Sequence, residues 1–199
     1  MKHRNILLVS LLSASMLAQS GCSGLGIATG VGATAGVAAA QEGGIKGALS
    51  DTQINANISD KWFKHDLKIF SKLNLTVELG RVLITGVVQD PEDRVEAVRL
   101  AWQVEGVKQV INEIRVAESD GFTGYMKDKW ISGRLRTAIT IDTDILSINY
   151  TIDTVQGIVY LMGVAQNQTE LDSVIDKARN IENVKQVISY VKIAGPEKS

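Results

Sequence analysis

Two five-residue stretches decide the fold of this chain: Val107-Lys108-Gln109-Val110-Ile111 and, 77 positions later, Val184-Lys185-Gln186-Val187-Ile188. Working outward from them, residues 82–116 lie over residues 159–193 without a gap, with 11 identities in 35 positions. Val82/Val159, Gly86/Gly163, Val87/Val164, Gln89/Gln166, Ala101/Ala178 and Glu105/Glu182 complete the set, and the same offset pairs Gly80 with Gly157. A constant offset with identities at glycines and apolar sites marks an internal duplication.

Each copy predicts the same order of elements. An amphipathic helix comes first, with Ile54, Ile58 and Trp62 every four residues and Ile131, Leu135 and Ile139 at the matching positions. A hairpin follows, turning at Gly80 or Gly157. A second helix starts near Pro91, a residue suited to a first helical position, with Val95, Val98 and Ala101 read as its inner stripe. The last element is a strand over 107–116 or 184–193. The fold class is α+β, two tandem αββαβ units. The first is expected over 50–118 and the second over 127–195, with a glycine-bearing linker at 119–126 and a short tail at 196–199.

The segment ahead of the repeats reads as an address and a tether. Lys2 and Arg4 precede an apolar run from Ile6 to Ala18 that is too short to span a bilayer. Residues 1–21 are expected to be a lipoprotein signal peptide, with Cys22 the lipidated residue. The position three before Cys22 is Gln19, where the usual pattern has leucine, and a plain secretory leader cut nearby is the competing reading. Residues 22–49 are dominated by glycine and alanine. They fit a flexible spacer, or a helix with Gly26, Gly30, Gly32 and Gly36 at small-xxx-small spacing.

Composition excludes several functions. Cys22 is the sole cysteine, so no internal disulfide and no cysteine-based zinc site can form. Two histidines, His3 and His65, leave little for a metal site or a catalytic triad. No phosphate loop or nucleophile–base spacing is present, and Asp142-Thr143-Asp144 lacks the glycine and closing glutamate of a calcium loop. Neither a catalytic residue nor a cofactor or bound metal is expected. Without Lys2 and Arg4 the chain has 19 basic and 22 acidic residues, which disfavours nucleic acid as a partner.

The glycine-bearing V-x-I/L-x-G-x-V strand and the later V-K-Q-V-I strand resemble those of the BON-domain family. That resemblance covers residues 50 to 195. Together with the lipobox and tether it is similar to the family's periplasmic dual BON-domain lipoproteins of the outer membrane. It implies a three-stranded mixed sheet with two helices per domain, phospholipid binding, an outer-membrane location facing the periplasm and a role in membrane integrity.

The duplication also serves as an internal control on function. Trp62 stands where the second copy has Ile139 and is expected in the core. Trp130 pairs with Gln53, a polar position. Helical spacing places Lys127, Trp130, Arg134 and Thr137 on one face, with Lys129 and Arg136 flanking and Asp128 the one opposing charge. An outward indole among cations has the composition of a membrane-interface anchor. Through the resemblance, Trp130 also matches the tryptophan implicated in phospholipid binding. The expected partner is an anionic phospholipid surface such as phosphatidylglycerol or cardiolipin, met by Trp130, Lys127, Lys129, Arg134 and Thr137. Two alternatives stand beside this. Trp130 could pack between the domains, with Trp102 as a second interdomain candidate, or the chain could be an envelope-biogenesis lipoprotein that docks proteins.

Overall fold

The computed structural model describes residues 44–195. The expected signal peptide, Cys22, most of the tether and the tail lie outside them. The first unit runs α1 (Gly44–His65), α2 (Leu67–Lys72), β1 (Leu73–Glu78), β2 (Arg81–Val88), α3 (Pro91–Trp102) and β3 (Gln109–Val116). The second runs α4 (Gly121–Thr140), a single 3-10 turn (Ser147–Asn149), β4 (Tyr150–Val155), β5 (Ile158–Ala165), α5 (Gln168–Arg179) and β6 (Gln186–Ile193). Each sheet has three strands, with a central strand paired antiparallel on one side and parallel on the other. The register repeats with the sequence offset: Leu73 faces Gly86 as Tyr150 faces Gly163.

Local chemistry accounts for these elements. Asp90 accepts from the Glu92 amide at 2.8 Å and Asn167 from the Glu170 amide at 2.9 Å, so both second helices begin on a side-chain cap. The hairpins turn through Leu79-Gly80 and Gln156-Gly157, with all four residues at positive φ, the geometry whose twist matches the flanking strands. Asp51 accepts from the amides of Leu79 and Gly80 at 2.7 and 2.8 Å. Asp128 does the same for Gln156 and Gly157, both at 2.8 Å. Each first helix is thus clamped to its own hairpin by one carboxylate.

The repeat glycines Gly86 and Gly163 have a different task. Both sit at positive φ where the strand passes the preceding helix-to-strand junction. A methyl group would collide with the Lys72 carbonyl oxygen in one copy and the Asn149 carbonyl oxygen in the other.

Each helix pair packs on one face of its own sheet. In the first core Ile54, Ile58 and Trp62 meet Val82, Ile84 and Ile114, and the Trp62 indole donates to the Ala97 carbonyl at 3.0 Å. The second core repeats this with Ile131, Leu135 and Ile139. One member of an expected stripe is misplaced. Val98 and Ala101 turn inward as expected, but Val95 is exposed, and Ala97 and Leu100 complete the inner face. Two alanines on the inner face allow the helix to approach the sheet closely.

The opposite faces of the two sheets pack on each other. Leu83 and Ile111 meet Val155, Tyr160 and Met162, with Val87, Ile158, Ile188 and Tyr190 around them. Polar groups cross this seam. Asp153, almost fully buried, accepts from the Asn74 amide at 3.0 Å and from the Thr85 hydroxyl. The Tyr190 hydroxyl donates to Glu113, and the Arg81 guanidinium donates to the Tyr190 carbonyl at 2.9 Å.

Both first helices begin upstream of the expected boundaries, at Gly44 rather than residue 50 and at Gly121 rather than 127. The segment 119–126 reads as a linker because of Gly121 and Gly124. Once a helix is nucleated, each further residue adds a hydrogen bond, and this offsets the roughly 1 kcal/mol cost of a glycine.

Replacing Asp51 or Asp128 with alanine should each cost about 1–3 kcal/mol in chemical denaturation, because charge-assisted bonds to buried-turn amides are lost. Gly163→Ala should cost more than about 2 kcal/mol. Gly133→Ala, where an added methyl meets nothing within 4 Å, should leave stability unchanged or raise it by up to about 1 kcal/mol. Equal losses at the two glycines would contradict the steric account.

Burial, reinforced by Asp51 and opposed by Arg81, pushes the Glu78 carboxyl up to about 7. A raised folded-state value means that protonation favours the folded chain. This contribution is complete below the ordinary value of 4.5 and is lost as pH rises through 7. Glu78→Gln should therefore stabilise the chain at pH 8, by about 1 kcal/mol once solvent screening is allowed for, and have little effect at pH 4. Equal effects of Glu78→Gln on stability at the two pH values would contradict this.

Candidate membrane-facing helix

Helix α4 buries Ile131, Leu135 and Ile139 against the second sheet. At 100° per residue, the direction opposite that stripe is occupied by Met126, with Phe122 and Trp130 one turn to either side. All three project into solvent, at 77% exposure for Phe122, 50% for Met126 and 46% for Trp130. The result is an apolar ridge along the outer face of the N-terminal half of the helix.

Cations border the ridge. Lys127 and Arg134 lie on one side, and the Arg134 guanidinium sits 5.7 Å from the centre of the Trp130 ring. Lys129 lies on the other side, 5.3 Å from the Tyr125 ring centre. Thr123, Met126, Lys127, Trp130, Glu182 and Asn183 line an open groove of about 330 Å³ beside the indole. Glu182 is the acidic group of this groove, and Asp120 lines an adjoining one with Thr123 and Lys127.

The sequence-derived site residues separate into two groups. Lys127, Trp130 and Arg134 share one side of the outer face. Lys129 is exposed on the opposite flank of the ridge, about 100° around the helix from Trp130. Thr137 continues the outer face, but its hydroxyl donates to the Gly133 carbonyl at 3.0 Å, within the helix. Arg136, expected to flank the cationic face, instead donates to the carbonyls of Ser147 and Tyr150 at 2.9 and 2.7 Å. Burial draws its pKa down. Asp128, expected to oppose the cations, is the hairpin clamp described above.

The interdomain role considered for Trp130 and Trp102 is not realised. The seam is formed by the sheet faces that point away from the helices, and both indoles remain about half exposed. Phe122, Tyr125 and Met126 were not expected, because their segment reads as a linker. Their spacing of three and four residues, continued by Trp130, was the signal that could have revealed them.

Among the described residues no group of three His, Cys, Asp or Glu is placed to hold a metal ion, and no helix is long and apolar enough to cross a membrane. What α4 can do chemically is present an apolar edge and fixed positive charge to a surface.

Comparison with known proteins places these features in a family. The BON domain model matches residues 50–118 and 127–195. An uncharacterized protein in the gshII 5′ region of Anaplasma centrale is 42% identical over 146 residues, covering 73% of this chain and 95% of that protein. The outer membrane lipoprotein DolP of Haemophilus influenzae is 29% identical over 126 residues, 63% of this chain and 65% of that protein. The osmotically-inducible protein Y of Escherichia coli is 25% identical over 146 residues, 72% of this chain and 73% of that protein. With a domain match on each repeat and these relatives, the chain belongs to the BON-domain family and carries two copies of the domain in tandem.

Proposed function

We propose that this protein is a non-catalytic envelope lipoprotein that binds anionic phospholipid through the outer face of α4. The observation that carries the reading is the ridge Phe122–Met126–Trp130, exposed along one helix and bordered by Lys127, Arg134 and Lys129. Exposed aromatic and apolar residues between cations are the composition that settles at headgroup level. The similarity to an outer membrane lipoprotein supports an outer-membrane location, periplasmic orientation and a contribution to membrane integrity.

Magnitudes divide the work between anchor and helix. Each cation near an anionic surface contributes roughly 1 kcal/mol, so three contribute about 3 kcal/mol before screening. Insertion of the indole adds about 2 kcal/mol at roughly 25 cal/mol per Å² of apolar area. These values are small beside acyl chains on Cys22. In this reading the acyl chains hold the protein on a membrane, and α4 selects the lipid it sits over, phosphatidylglycerol or cardiolipin.

The chain with Cys22→Ser should bind vesicles of phosphatidylcholine with one-quarter phosphatidylglycerol and should bind pure phosphatidylcholine weakly. Affinity should fall in 1 M salt. Trp130→Glu removes the inserted ring and adds a repelled charge, so it should weaken binding about a hundredfold with the circular dichroism spectrum unchanged. Retention of parental affinity by Trp130→Glu would overturn the reading and favour protein docking at this helix.

A further inference from the structure

A second exposed apolar ridge lies on the first domain. Phe63, at the end of α1, is 57% exposed; Leu67 and Phe70, on α2, are 61% and 42% exposed. The Phe63 and Phe70 rings touch edge to face, with centroids 5.5 Å apart. The chain breaks at Asp66, whose extended backbone ends α1 and whose carboxylate caps α2 through the Lys68 amide at 2.7 Å. The break turns the two short stretches so that their apolar side chains meet outside the core, where Ile69 is the residue buried.

Two observations say what covers this ridge. The first is charge. Lys61, Lys64, Lys68 and Lys72 accompany it, against Asp60 and Asp66. Lys64 is paired with Asp60 at 2.7 Å, Lys61 donates to Gln103 at 3.4 Å and Lys72 donates to Gln89, and four lysines against two aspartates leave the segment positive. In the second domain the positions matching Phe63, Leu67 and Phe70 are Thr140, Asp144 and Ser147; neither the aromatic residues nor the lysines are a requirement of the fold. The second is continuity with α4. A cleft of about 220 Å³ has Ser71 and Lys72 from α2 on one wall and Tyr125 and Lys129 from α4 on another. The end of α2, next to Phe70, and the Lys129 flank of the α4 ridge thus share one cleft. His65 marks the limit of the patch, where Asp90, Glu92, Asp93 and Glu96 line an acidic hollow that an anionic surface would repel.

We infer that Phe63, Leu67 and Phe70, bordered by Lys64 and Lys68, form a second contact with an anionic bilayer, made on the same membrane that α4 meets. The inference rests on the reading of α4 as membrane-facing. Two contacts from two domains joined by a packed seam fix the orientation of the protein on the surface, which one helix does not do. They also multiply affinity, because the second contact forms at high effective concentration once the first is made.

The test uses the full chain with Cys22→Ser, its sole cysteine, and an environment-sensitive fluorophore on a new cysteine at Leu67 or, separately, Thr137. Vesicles contain phosphatidylcholine with or without one-quarter phosphatidylglycerol. The expected result is a blue shift at both positions with the anionic vesicles only, quenched by lipids carrying a spin label near the headgroup. A Phe63→Ser/Phe70→Ser variant, both sites being exposed, should keep its circular dichroism spectrum and lose about tenfold in vesicle affinity. A probe at 67 that stays in water while the probe at 137 reports would overturn the second contact and leave α4 intact; a ridge that docks protein gives this result. Silence at both positions would overturn both readings. A response at 67 alone would support the ridge and overturn the assignment to α4.

Discussion

The packing of sheet against sheet is the constraint from which the rest of the molecule follows. Each three-stranded sheet has one face covered by its own helices, and Leu83, Ile111, Val155, Tyr160 and Met162 bring the other two faces together. Once both faces of both sheets are occupied, the helices have nowhere to lie but outside. The outer surfaces of α1, α2 and α4 then have no partner within residues 44–195. Apolar side chains placed there serve no core, and the contiguous ones are those on which the proposed lipid contact rests.

The seam is also polar where it needs register. Asp153 is held by Asn74 and Thr85, and Arg81 reaches the Tyr190 carbonyl. Removing one partner of such a buried group leaves the other unsatisfied, so these bonds favour one alignment of the domains over a slipped one. The proposed pair of lipid contacts requires such a fixed alignment, because one contact lies on each domain.

Much of the fold was legible in the sequence because duplication shows which positions must stay apolar. Ile54, Ile58 and Trp62 and their counterparts Ile131, Leu135 and Ile139 are all buried as their four-residue spacing predicts. The seam was harder to read. Its signal was the lack of alternation in Val82–Val88 and Ile158–Ala165, since a central strand buried on both faces is apolar throughout. Val95 misled because its spacing from Val98 and Ala101 extends their inner stripe, whereas Ala97 takes the inner position one turn before Ala101. The clamp formed by Asp51 and Asp128 was visible as an identity at the same offset, but it lies outside the gapless stretch. In the candidate site, comparing the copies singles out Trp130, and helical spacing adds Lys127 and Arg134 to its face. Phe122 and Met126 were hidden by glycines that suggest a linker, and the internal engagement of Arg136 depends on tertiary contacts that spacing cannot reveal.

Which surface of the folded chain meets lipid is the decisive point. Amide resonances of the chain with Cys22→Ser, recorded on phosphatidylglycerol-containing bilayer discs with a paramagnetic headgroup, measure this directly. Broadening concentrated on residues 122–137, and on 63–70 where the second contact is made, with Asp153 and Tyr190 in the seam unaffected, is the predicted result. Uniform broadening, or broadening centred on α3 or α5, would contradict the account.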